Sequence, residues 1–138
     1  MQVRTSKTED EVAAATQVDL RATSTCSRAQ YIATVAEVGG LKLAVEQGHI
    51  VGFCCVDNRY FFEKVFISLL IVNPDSRRRG VGQELIEAVA LDHPELWTST
   101  NRSNAKMRGL LGKLDWQFCG EIEGLDADDP EMFFKKLG

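Results

Sequence analysis

Three consecutive arginines, Arg77, Arg78 and Arg79, stand directly before Gly80 and Gly82 in the stretch "DSRRRGVGQEL", and a helical pattern follows at once. Arginine supplies charge-assisted hydrogen bonds to anions, and glycine lets an anion approach the backbone with no Cβ in the way. The first amides of a helix have no internal partner and together carry about half a unit of positive charge. Backbone N–H groups of Arg78, Arg79, Gly80, Val81, Gly82 and Gln83 can therefore cradle a diphosphate, with guanidinium groups at its rim. A solvated turn with a basic rim is the other reading of the same residues. Two familiar phosphate motifs are excluded. The chain has no Gly-x-x-x-x-Gly-Lys-Ser/Thr, and Leu85 stands where the third glycine of Gly-x-Gly-x-x-Gly belongs.

Other reactive side chains are sparse. The two histidines, His49 and His93, fall in turn-like contexts, which leaves little for a histidine triad or a metal site, and none is expected. Cys26, Cys54, Cys55 and Cys119 lack the C-x-x-C spacing of zinc and redox sites. They read as reduced thiols that mostly pack, with Cys54 and Cys55 facing opposite ways on a strand. Net charge is −4, so the arginines are a local feature of an acidic chain. That favours a small anionic ligand over nucleic acid.

These groups need elements to hold them. The chain has 138 residues, 44% apolar and 26% charged, one domain's worth with an ordinary soluble balance. No apolar run reaches the ~18 residues of a membrane span, and "MQVRTSKTED" is too polar for a signal peptide, so a cytoplasmic protein without membrane partners is expected. "QVRT" reads as a first strand. Residues 7–22 read as a helix with Thr8 as N-cap and Glu11 completing a capping box. Residues 27–40 form a second helix closed by Gly39 and Gly40, and residues 41–57 a hairpin turning at Gln47–Gly48. "KVFISLLIV" is apolar enough for a central strand covered on both faces, ended by Asn73–Pro74. A helix runs from Val81 to His93–Pro94, "LWTST" is a strand, Asn104 to Leu114 is helical, and a closing hairpin ends the chain. The order is β-α-α-β-β-β-α-β-α-β-β, a mixed α/β fold without linker or repeat.

With the central strand ending in Val72-Asn73-Pro74, the signature Arg77-x-x-Gly80-x-Gly82 and this element order, the chain resembles the GNAT superfamily of acyl-CoA-dependent N-acyltransferases. The resemblance spans the whole chain, and "TNRSNAKMRGLLGKLDWQFCG" resembles the family's next block. It implies one N-acetyltransferase domain over residues 1–138, with a mixed sheet of about six to seven strands flanked by about four helices. It implies acetyl-CoA as cosubstrate, its diphosphate on the arginine–glycine loop and its arm between two splayed parallel strands, residues 64–72 and 96–100. Backbone groups near Leu70, Ile71 and Val72 would pair with that arm, and an amide near Leu70 would face the acyl carbonyl. Asn104 matches the family's arm-contacting asparagine, with helix capping as its other role.

The acceptor implied is a primary amine, on a small molecule or a protein, attacking directly. An ammonium of pKa about 10 must first lose a proton, and the departing thiolate, near 8.5, then needs one. Many family members take the second proton from a tyrosine, but this chain has Leu111 at that position. Of the two tyrosines, Tyr31 and Tyr60, Tyr31 on the helix that borders the family's acceptor site is the candidate donor, with packing as its other role. Glu63, entering the central strand, is the first candidate base, with Glu121 and Glu123 next and an ordered water relay as the alternative. Acidic residues of the closing hairpin would suit a cationic acceptor or serve simply as a solvated turn. Leu111 also motivates a second function, a coenzyme-binding sensor without catalysis. A monomer or homodimer is compatible with the resemblance.

Overall fold

Thr8 starts the first helix by accepting from the N–H of Glu11 at 3.2 Å, as its spacing predicts. The return half of the box differs: the Glu11 carboxylate accepts from the N–H of Lys7 at 2.7 Å and pairs with Arg4. The structure, a computed structural model, describes all 138 residues. Its elements are β1 (Gln2–Thr5), α1 (Glu9–Thr23), α2 (Ala29–Glu37), β2 (Leu41–Glu46), β3 (His49–Asp57), β4 (Phe66–Val72), a 3₁₀ turn (Pro74–Ser76), α3 (Val81–Leu91), β5 (Glu95–Asn101), α4 (Ala105–Lys113), β6 (Gln117–Ile122) and β7 (Glu131–Leu137). Only the 3₁₀ turn was not expected. The strands form one mixed sheet in the order β1-β2-β3-β4-β5-β7-β6. No helix is long and apolar enough to cross a membrane.

Internal contacts divide the residues into two units, 1–57 with 68–89 and 58–67 with 90–138. In the first, β1, β2 and β3 pair antiparallel, and the β2–β3 hairpin turns through Gln47 (φ +51°) and Gly48 (φ +79°). Side chains alternate across β3. Phe53 and Cys55 enter a core with Ala15 and Val18 of α1, Ile32 and Val35 of α2, and Leu41 and Leu43 of β2. Burying each of the larger side chains contributes about 1.5–3 kcal/mol. On the opposite face Gly52 admits α3: a Cβ there would lie 2.8 Å from Val81 Cγ1 and 3.0 Å from the Ile71 carbonyl oxygen. That close approach sets the first turn of α3 against the sheet.

Strand β4 departs from the expectation of cover on both faces. Ile67 alone is buried, Ser68 is exposed, and Leu69 to Val72 are half-buried, although Leu69 and Ile71 pack on the α1–α2 core. An apolar run reports what surface a strand prefers to touch, not whether protein supplies it. The thiols divide as well: Cys54 and Cys55 are buried, whereas Cys26 and Cys119 are exposed and contribute little packing.

In the second unit β5 pairs parallel with β4 (Phe66 with Trp97, Ile67 with Thr98) and antiparallel with β7, which also pairs with β6. The chain's closing hairpin is thus wedged with its second strand inside its first. Phe61 stacks on Phe133, their ring centroids 5.3 Å apart, and contacts Phe66 and Trp97. Leu96 and Leu111 are fully buried here.

Candidate active site

The turn after β4 is built by short-range bonds. The N–H of Asn73 donates to the carbonyl oxygen of Val51 at 2.9 Å, and the Asn73 side chain accepts from the N–H of Asp75. The N–H of Ser76 donates back to the carbonyl oxygen of Asn73 at 2.8 Å. Asp75 is tied to Arg21 of α1 at 2.5 Å. After Ser76 the pattern of internal bonding stops. In the first turn of α3 the N–H of Glu84 donates to the carbonyl oxygen of Gly80. Between those two points the amides of Arg77 to Gly82 meet no acceptor within the protein.

Their conformation explains how they are displayed. Arg78 (φ +67°) and Gly80 (φ +78°) both adopt the left-handed region, two residues apart. Alternation of handedness turns successive N–H groups toward one concave side, an arrangement that binds anions. Holding a non-glycine residue such as Arg78 there costs about 1–2 kcal/mol, a strain typical of functional loops. Gly80 takes its conformation without that cost, and a Cβ on it would meet nothing within 4 Å, so its role is conformational and not spatial. The helix dipole of α3 adds positive potential at the same place. The guanidinium groups behave differently from one another. All three arginines are exposed, but Arg79 pairs with Glu46 of β2, while Arg77 and Arg78 stay at the loop surface.

A second polar cluster lies lower on β4. The Tyr31 hydroxyl of α2 donates to Asp57 Oδ2 at 2.8 Å and lies 2.5 Å from Ser68 Oγ. Asp57 is only 8% exposed. Burial above all pushes the Tyr31 phenol up to about 12; the hydrogen bond with Ser68 opposes that rise, and the Asp57 carboxylate adds to it. Tyr31 thus stays protonated across the physiological range. The neighbouring strand thiols are also locked in the protonated form: burial raises Cys54 to about 12 and raises Cys55 further. Neither is a nucleophile at neutral pH.

The remaining expected residues lie in the second unit. Glu63 is exposed in the turn before β4, at φ +58°. Asn104 caps α4, its Oδ1 accepting from the N–H of Met107 at 3.1 Å. Ser103 beside it is engaged elsewhere, its hydroxyl and N–H both donating to the Asp129 carboxylate at 2.7 and 3.0 Å. Glu121 pairs with Arg102 at 2.6 Å, and Glu123 is exposed. Leu111 is a core residue with no exposure. No group of three or more His, Cys, Asp or Glu side chains could hold a metal ion.

The sequence model of the acetyltransferase (GNAT) family matches residues 16–116, about three quarters of the chain. The chain belongs to the GNAT family. It is an acyltransferase of that family, and its seven-stranded mixed sheet with four helices is the family fold. A GNAT acetyltransferase from Bacillus cereus ATCC 10987 shares 29% identity with it, with a TM-score of 0.92 over 99% of this chain and 96% of the other. The ribosomal-protein-S18-alanine N-acetyltransferase of Escherichia coli superposes with a TM-score of 0.83 at 16% identity, over 99% and 92% of the two chains. An aminoglycoside 6′-N-acetyltransferase solved with coenzyme A gives 0.82 at 12% identity, over 99% and 97%. The last two share the fold alone. No curated protein matches the GNAT chain in sequence.

Asp57 and Ser68 escaped the sequence reading of this acetyltransferase. Each carries a signal. Asp57 closes the buried run "VGFCCV", and Ser68 is the one polar residue inside "FISLLIV". A lone polar side chain in an apolar strand invites the question of its partner.

Proposed function

We propose that this acetyltransferase moves an acetyl group from acetyl-CoA to a primary amine, on a small molecule or a protein, by direct attack. The observation that carries the reading is the run of amides from Arg77 to Gly82 that have no acceptor within the protein. Unpaired N–H groups gathered at a helix start, with the helix dipole behind them, favour an anion. A diphosphate fits: Arg78 and Gly80 supply the concavity, Gly82 gives close approach, and Arg77 and Arg78 can reach the rim. Val81 and Gln83 contribute from the first turn of α3, and Arg79 contributes if it leaves Glu46. Half-buried Leu70, Ile71 and Val72 leave apolar strand surface for the arm of the coenzyme, and the amide near Leu70 is the candidate donor to the acyl oxygen.

When bound, acetyl-CoA supplies an activated acetyl thioester. The chain's own contribution is to orient it and to handle the amine's proton. Direct transfer is supported by the raised pKa of Cys54 and Cys55, since neither buried thiol is activated to form an acyl-enzyme. A sensor that binds coenzyme without turnover is the second reading, favoured by buried Leu111 where the family carries its tyrosine. Calorimetric titration with acetyl-CoA, paired with thiol release across a panel of primary amines, separates them. Binding with release on at least one amine supports the enzyme; binding with none supports the sensor. Absence of binding defeats both.

A further inference from the structure

Tyr31, Asp57 and Ser68 come from three elements, α2, β3 and β4, and meet through two short contacts. The direction of each hydrogen bond follows from a count of protons. A phenol has one proton, and an aspartate with a carboxylate acceptor 2.8 Å away takes it. The 2.5 Å contact is then one in which the Ser68 hydroxyl donates to the Tyr31 oxygen. Ser68 Oγ also lies 3.4 Å from the carbonyl oxygen of Cys55, too long to compete strongly for that proton. The lone pairs of Ser68 Oγ are therefore the outward end of a chain whose inward end is a carboxylate. Ser68 is exposed, and Asp57 is buried. The chain runs from solvent to interior in three side chains.

We propose that Ser68, Tyr31 and Asp57 form a proton relay that accepts the proton of the acceptor amine. The inference rests on the proposed acetyl transfer, because it takes the thioester to lie near Leu70. Ser68 stands two residues before Leu70, about 7 Å along a strand and further from the diphosphate loop, where an attacking amine would arrive. The amine nitrogen loses its proton to Ser68 Oγ as the Ser68 proton passes to the Tyr31 oxygen and the Tyr31 proton to Asp57 Oδ2. Three O–H bonds form as one N–H and two O–H bonds break, no electrons change hands, and Asp57 ends as a neutral acid. Ser68 is the catalytic residue, since it alone touches the amine. Tyr31 and Asp57 are positioning residues that act through it. Tyr31 never needs to ionise, which agrees with its raised phenol pKa. The relay also assigns a role to the one tyrosine that sequence analysis had offered only as a donor.

Other groups face the same region. Cys55 adjoins Tyr31 and Asp57, and Asp19 of α1, paired with Arg28 at 2.5 Å, lies within electrostatic reach of Cys55. An acidic limb due to Asp19 would survive Asp57→Asn, and one due to Asp57 would not. The test uses the intact chain with acetyl-CoA and three amines, a linear diamine, an aminoglycoside and a peptide with a free N-terminus. Ser68→Ala, Tyr31→Phe and Asp57→Asn are compared with wild type. The expected result is a fall in kcat of roughly 10²-fold or more for Tyr31→Phe and Ser68→Ala. The acetyl-CoA dissociation constant should stay within about twofold, and the acidic limb of kcat/KM should vanish in Asp57→Asn, with recovery in Asp57→Glu. Ultraviolet titration of the phenols, which needs no substrate, should show the Tyr31 pKa falling in Asp57→Asn, because Asp57 raises it. Unchanged kcat and limb in the folded Tyr31→Phe and Ser68→Ala proteins would overturn the relay. So would a Tyr31 titration indifferent to Asp57, or coenzyme binding without turnover of any amine. If wild type fails to bind acetyl-CoA, the proposed function falls, while the phenol titration still reports on the Tyr31–Asp57 link.

Discussion

Two charged turns stand out in this chain, and they behave in opposite ways. The arginine turn after β4 leaves its backbone donors from Arg77 to Gly82 without internal acceptors. The acidic turn between β6 and β7 spends its acceptors inside the protein. Asp129 takes the N–H and hydroxyl of Ser103, Asp126 takes the Asn101 amide at 2.9 Å, and Glu121 pairs with Arg102. In sequence both read as runs of one charge. What separates a binding turn from a structural one is whether its polar groups are already satisfied, because a satisfied group gains little from a ligand. Spacing differs too: the arginine turn holds Arg78 and Gly80 at positive φ two residues apart, whereas Gly124 and Asp128 of the acidic turn stand four apart.

The contrast is broken most directly by filling the arginine turn. Gly82→Val should raise the acetyl-CoA dissociation constant at least about 100-fold, since losing two hydrogen bonds to a charged ligand costs roughly 3–6 kcal/mol. Calorimetry measures it, and retained affinity would show that the anion sits elsewhere. Arg77→Glu should weaken the same binding by about tenfold, with a steeper dependence on salt in wild type than in the variant, because a charged rim contact is screened. Gly80→Ala tests handedness without a clash. Forcing alanine to φ +78° should cost about 1–2 kcal/mol, read as a lowered denaturant midpoint, with weaker coenzyme binding if the loop relaxes.

The acidic turn should respond in stability alone. Ser103's hydroxyl, then its N–H, hold the Asp129 carboxyl below its ordinary value of 3.8. A depressed carboxylate stabilises the fold above its unfolded pKa and ceases to do so as pH falls through the folded one. Asp129→Ala should therefore melt earlier than wild type at neutral pH, with the gap closing as pH drops below 3.8, while coenzyme affinity is unchanged. A loss of coenzyme affinity in that variant would erase the distinction between the turns. Glu123→Gln is the smallest perturbation, an exposed carboxylate whose neutralisation should alter neither binding nor melting.

Much of the molecule was legible because its signals are local. The Thr8 cap, the Gln47–Gly48 turn, the halt at His93–Pro94 and the β4 run each depend on a few neighbouring residues, and each element appeared in its expected order. The arginine–glycine turn was legible for the same reason, since its amides, its glycines and the helix start are contiguous. The polar cluster around Tyr31 was not: Asp57 and Ser68 meet Tyr31 across separations of 26 and 37 residues. No periodicity reports such a meeting. The incomplete cover of β4 was equally hidden, because apolarity does not say which neighbour arrives.

Sequence alone was enough to establish the order of elements and the family, since both are written in contiguous residues whose backbone preferences act over one or two turns. Folding in three dimensions decided which donors remain unspent, which carboxylates are consumed by their own loop, and which side chains meet at Ser68. Those outcomes depend on packing between distant segments, where the cost of burying an unpaired polar group selects partners that no local pattern can name.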